Sequence, residues 1–251
     1  MSQLLTRMKN SLAKSISQDS LSTTSSKPRI TLFCHSYGVL QIVNHMVRVL
    51  PEYPVEQATV LRMGAFLHDI GKLHPGFQQM LKFPTATHKW VKHEGQTYRF
   101  QPEVEAECDR IAEWIGEEFQ CEMRLPDDRS DILACAVTHH GVFYSSLEKG
   151  VWQARREWTR MAPDEERRIT LADLLIRYYP LGGAVIFADL LHSHQLATGV
   201  DHVTPILQSR CQEDWLAYLR ERKESLLKDL EGNAADRKTR LPFDLLELLL
   251  A

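Results

Sequence analysis

His68-Asp69-Ile70-Gly71-Lys72 closes an apolar run, residues 60–67. An adjacent imidazole and carboxylate at the end of a helix can offer two metal ligands side by side. The glycine is expected to end that helix, and Lys72 to reach an anionic substrate. The chain supplies further ligand types at His35, at the pair His139-His140 and at Asp189. His35 falls on the same helical face as Val39 and Ile42. His139 and His140 stand just before Gly141. Asp189 sits in the otherwise apolar run 185–191, where a carboxylate is costly unless it is paired or binds a metal.

Mixed imidazole and carboxylate donors suit divalent transition ions such as Mn, Fe, Co or Ni. Mg is less suited, because it prefers a more oxygen-rich shell. Two such ions about 3.5–4 Å apart would turn water into a nucleophile near neutral pH and clamp a phosphoester. Asp69, with two oxygens, is the expected bridge between them. The bland reading of Asp189 is a carboxylate paired with a core Arg or His.

These residues need a scaffold of helices. Apolar residues recur mostly at helical spacing, and strand signals are sparse, so the expected class is all-α. Helices are predicted over residues 31–50, 55–70, 75–81, 102–119, 131–139, 164–179, 182–195 and 204–230, with a last apolar segment at 241–250. Residues 83–100 read as a long loop and 141–163 as irregular. Residues 1–27 carry the Ser/Thr-rich stretch 17–26 and read as a flexible N-terminal tail. Residues 28–200 form the main domain, and 201–251 a C-terminal helical extension that packs on it or docks a partner.

Of the 251 residues, 43% are hydrophobic and 25% charged, as in ordinary globular proteins. No apolar stretch is long enough to span a bilayer, and no secretory signal opens the chain. Five scattered cysteines without a CxxC pair fit a reducing, cytoplasmic setting. The net charge of -3 argues against a uniformly basic nucleic-acid binder and leaves room for a local basic groove. Trp152, Arg155, Arg156 and Trp158 interleave aromatics with arginines. That pattern can stack bases and hold phosphates, or it can be a surface helix with its tryptophans tucked inward.

The order H…HD…HH…D resembles the HD phosphohydrolase superfamily. The longer string from His68 to Gln78, HDIGKLHPGFQ, is similar to the motif of the CRISPR-associated HD nucleases, the stand-alone Cas-three-type HD domain of type I systems. The segments around His35, around His139-His140-Gly141 and over residues 188–193, with Ser193 four positions after Asp189, match further motifs of that family. For its histidine between HD and HH, His93 is the best match and His88 the rival.

The resemblance spans about residues 30–195 and implies an HD-domain helical bundle with a two-metal centre. It also implies a nuclease of antiviral defence acting on single-stranded DNA. By carry-over, His35, His68, Asp69 and Asp189 would hold one ion, and Asp69, His93, His139 and His140 the other. Lys72 would touch the scissile phosphate or orient the attacking water. Apart from the resemblance, the interleaved pattern above makes Arg155 and Arg156 the candidates for holding the strand. These 251 residues contain no GKT loop, so the resemblance further implies a separate helicase subunit and a surveillance complex as partners. The competing readings are an HD-type nucleotidase or cyclic-nucleotide phosphodiesterase, and an HD-fold assembly subunit without catalysis.

Overall fold

The computed structural model describes residues 2–14, 30–49, 53–83, 91, 93–137, 139, 143–148, 151–155, 180–199, 201, 203–211, 213, 214 and 217. Eight α-helices dominate these residues: α1 Gln3–Asn10, α2 Leu32–Val49, α3 Val55–Leu67, α4 Pro75–Lys82, α5 Gln101–Phe119, α6 Ser130–Val137, α7 Pro180–Thr198 and α8 Val203–Gln208. Two 3-10 turns, Ile70–Leu73 and Glu94–Phe100, complete the helical set. Among the described residues, no helix is long and apolar enough to cross a membrane.

Helix α3 is the central post. Its residues from Ala58 to Leu67 are all buried, which is why the run is apolar on every side. Helices α2, α6 and α7 pack around it, with α5 alongside. Their apolar side chains form one continuous core, including Leu40, Ile42, Phe66, Leu67, Ile111, Ile132 and Val185. Burial of this kind contributes about 25 cal/mol per Å² of apolar surface and is the main force holding the helices together. The single buried arginine, Arg62 among the described residues, has its Nε–H bonded to Asn44 Oδ1 at 2.9 Å.

Several boundaries have local causes. Pro75 stands at the start of α4, and the His74 side chain accepts the Gly76 N–H there as a cap. That gives His74 a structural role. Helix α5 carries Pro102 in its first turn and ends on Gln120 in the left-handed region, φ 50. Pro180 opens α7.

Four expectations need correction. The stretch 83–100 is not all loop, since Glu94–Phe100 winds into a 3-10 helix that carries buried Thr97 and Phe100. Within 141–163, Phe143–Glu148 and Val151–Arg155 pair as an antiparallel hairpin, with an irregularity between Tyr144 and Leu147. The helix expected over 204–230 is interrupted. Helix α8 stops at Gln208, where Ser209 turns its hydroxyl to the Ile206 carbonyl and bonds His45 Nε2 at 2.8 Å. Asp214 then accepts the Arg210 N–H at 3.0 Å. Finally, the packed structure begins well before residue 28. Leu4, Leu5 and Met8 join the main core, and Ser2 caps α1 and bonds Glu107 of α5. The predicted segments 164–179 and 241–250 lie outside the described residues.

Candidate metal centre

Asp69 is the hub. It follows α3 at the first turn after the helix and is almost fully buried. Its two carboxylate oxygens face different partners. Oδ2 lies 3.3 Å from His35 Nε2 and 3.4 Å from His68 Nε2, and it pairs with the Lys72 ammonium. Oδ1 lies 3.0 Å from His93 Nε2 and 3.4 Å from His139 Nε2. Asp189, from the middle of α7, completes the first side, with Oδ1 at 3.1 Å from His35 Nε2 and 3.7 Å from His68 Nε2.

The histidines are oriented through their far nitrogens. His68 donates its Nδ1–H to the Ala65 carbonyl at 2.7 Å, and His139 donates likewise to Ala136 at 2.7 Å. Both use the same device. A histidine just past a helix end reaches back three residues to an unsatisfied helical carbonyl, which fixes the tautomer and turns Nε2 to Asp69. His35 has its Nδ1 3.0 Å from His192 Nδ1, with the two rings stacked. Burial, helped by His35, lowers the His192 pKa to about 4. Neutral His192 can therefore accept that bond and leave His35 Nε2 facing the carboxylates.

The electrostatics follow from burial and close packing. Burial alone would raise the pKa of Asp69, but Lys72 and His68 outweigh it and hold the carboxyl well below its usual range. Asp189 is likewise penalised by burial and held well down by His35 and His68. His139 moves down, chiefly through burial. Ser193 Oγ–H donates to Asp189 Oδ1 at 3.1 Å and steadies that carboxylate from one turn along α7.

This donor set fits divalent ions. His35, His68 and Asp189 form one cluster and His68, Asp69 and His139 another, each with all ligand atoms within 4.8 Å of one another. Ligands about 2.1 Å from a shared ion stand about 3.0–3.4 Å apart in octahedral or tetrahedral coordination, and most of the separations above fall in that interval. Three neutral-capable imidazoles and two carboxylates are also the donor types that transition ions take.

The structure thus brings together His35, His68, Asp69, Lys72, His93, His139 and Asp189. His140, Arg156 and the rival His88 lie outside the described residues, as does the Arg155 side chain at the end of the hairpin. Sequence reasoning did not single out two contributors, Lys14 beside Ser193 and the bracket made by Gln78. The nearness of His192 to Asp189 in the sequence makes it a candidate spare ligand, and its ring instead stands behind His35. Gln78 accepts the Leu12 N–H at 2.9 Å and donates to the carbonyls of Leu12 at 3.0 Å and Lys72 at 2.8 Å. The Phe-Gln pair in the motif was the available signal for Gln78. Nothing in the composition of residues 1–27 marked Lys14.

The family Cas3, HD domain matches residues 22–198. The chain belongs to that family. Membership makes it a CRISPR-associated, metal-dependent nuclease of the HD type, and the family match covers every member of the cluster around Asp69. No curated protein and no solved structure matches the chain. Helix α1 and residues 11–14 precede the first matched position of the Cas3 HD family.

Proposed function

We propose that the chain cleaves single-stranded DNA phosphodiesters with two divalent transition ions sharing Asp69. The observation that carries this reading is the division of the Asp69 carboxylate, one oxygen toward His35 and His68 and the other toward His93 and His139. In this reading His35, His68, Asp69 and Asp189 hold one ion. Asp69, His93, His139 and, by the family resemblance, His140 hold the other. Such ions supply a nucleophile made from water near neutral pH and neutralise charge at phosphorus.

The protein's own groups do the rest. The carbonyls of Ala65 and Ala136 and the ring of His192 keep three imidazoles in one tautomer. Ser193 orients Asp189. Lys72 pairs with Asp69 and, with substrate present, turns its ammonium to a phosphate oxygen, a charge-assisted contact. Arg155 and Arg156 are the further residues proposed to hold the strand, through their charge. The unwinding that yields single strands lies outside these 251 residues, which hold no GKT loop. A separate CRISPR helicase subunit and a surveillance complex are the proposed partners.

The test is cleavage of a circular single-stranded DNA by metal-stripped protein, re-supplied in turn with Mn, Fe, Co, Ni and Mg, beside Asp69→Ala. Transition-ion-dependent nicking that vanishes in the variant supports the reading. Intact circles together with hydrolysis of nucleoside monophosphates or cyclic nucleotides would transfer the same centre to a small-molecule substrate.

A further inference from the structure

Residues 11–14 form a short strap beside the metal centre. One end is held by α1, where Glu107 accepts the Leu4 N–H at 3.3 Å and Arg7 pairs with Glu103 at 2.7 Å. The strap itself pairs with the segment leading into α2. Ala13 N–H donates to Ile30 at 2.9 Å and Leu32 N–H to Ser11 at 2.7 Å. Gln78 grips Leu12 through both main-chain groups and ties it to the turn that carries Lys72. Leu12 is sealed against Phe77 and Leu81.

This fixed path delivers Lys14 to α7. Its ammonium donates to the Ser193 carbonyl at 3.1 Å, and the Ser193 hydroxyl holds Asp189. The charges that act on Lys14 are Asp189, Lys72 and Asp69, so its field is that of the centre; burial, the largest influence, lowers its pKa. An ammonium carries three donors. Among the described residues, Lys14 uses one of them, on a neutral carbonyl. Half-burying a cation with so little compensation is costly, and an anion at the centre would supply the missing partner.

We propose that Lys14 is a phosphate-binding residue of this site, acting with Lys72 on the phosphodiester strand. The proposal rests on the nuclease reading for its natural substrate, yet needs only a phosphate group to be tested. It makes the N-terminal strap part of the site rather than a tail.

The experiment compares Mn-loaded wild type, Lys14→Gln and Lys14→Arg in three ways: metal content, thermal shift in inorganic phosphate, and steady-state hydrolysis of bis-p-nitrophenyl phosphate and single-stranded DNA. Glutamine can keep the bond to the Ser193 carbonyl while removing the charge, which separates a tether from a phosphate contact. Lys14→Gln should bind the same metal and weaken phosphate affinity and KM by about ten- to a hundredfold, with Lys14→Arg recovering most of it. Unchanged phosphate affinity and KM in Lys14→Gln would overturn the proposal. Phosphate stabilisation that the wild type shows and Lys14→Gln loses, with the wild type leaving single-stranded DNA uncut, would uphold Lys14 and sink the single-stranded DNA reading alone.

Discussion

Gly71 lies directly under the main-chain carbonyl of His93. A Cβ at position 71 would overlap that oxygen and crowd Thr97 Oγ1 at 2.9 Å. The glycine therefore does not end α3, which stops at Leu67. It allows the His93 segment to approach the turn after Asp69, so that His93 Nε2 comes to 3.0 Å from Asp69 Oδ1. Gly71→Ala must push backbone apart, since the obstacle is a main-chain atom. We expect it to lose one bound ion per chain and most of the cleavage while retaining helicity. Metal analysis and circular dichroism check this. His93→Ala should share that phenotype and His88→Ala should not; equal effects would mean that His93 is no ligand.

Asp69→Ala should remove the element common to both halves of the centre. The expected result is loss of metal binding and cleavage with the helical fold kept, read by metal content, nicking of circular DNA and circular dichroism. Retained cleavage would end the shared-carboxylate reading.

His192 should matter through His35. Gly38 leaves room for the His192 ring, which a Cβ there would overlap. His192→Phe keeps a ring in that space and removes the bond to His35 Nδ1. Metal affinity should fall roughly 10- to 100-fold, measured by chelator competition, with little change in melting temperature. Gly38→Ala should give the same loss by displacing the ring.

The metal-free protein should lose stability on the alkaline side. Burial alone would lower the pKa of His68, but Asp69 and Asp189 outweigh it and raise the imidazole to about 10. An unfolded histidine titrates near 6.5. The folded value is the higher, so this stabilisation is complete below about 6.5 and is lost as pH rises toward 10. Melting temperatures of chelated protein across that window should fall, and His68→Asn should flatten the fall. Saturating ions, which need a neutral Nε2, should also abolish it.

Gln78→Ala should destabilise the fold by about 2–4 kcal/mol, because it strips partners from the Leu12 N–H and from the carbonyls of Leu12 and Lys72. Urea unfolding gives the value. A cost within about 0.5 kcal/mol, the usual range for a surface change, would show that the strap does not depend on this bracket.

Much of the helical frame was legible in the sequence, because α2 and α5 carry apolar residues at helical spacing, α3 is an apolar run too long for a strand, and prolines stand at several boundaries. Residue type and spacing also marked the cluster around Asp69, since a buried carboxylate in an apolar run and histidines at helix ends have few bland uses. Other features rest on long-range contacts that leave no local pattern. His88 and His93 stand in one polar stretch of sequence, and the approach of His93 over Gly71 is a long-range contact with no local pattern. The strap looked like part of a tail because four short-range residues gain their order from Ile30, Gln78 and Ser193. The hairpin at 143–155 lacks an Asn-Gly turn, and the break at Ser209 depends on His45 from a distant helix.

The strap also orders events in time. Residues 2–14 are made before the rest of the described chain, yet Lys14 finds its partner Ser193 only 179 positions later, and Leu12 waits 66 for Gln78. Contacts of such separation form late, after the local helices. A growing chain therefore carries His35, His68 and Asp69 well before the last side of their enclosure exists, and the site becomes complete only when α7 has been made and the N-terminus has returned to lie against it.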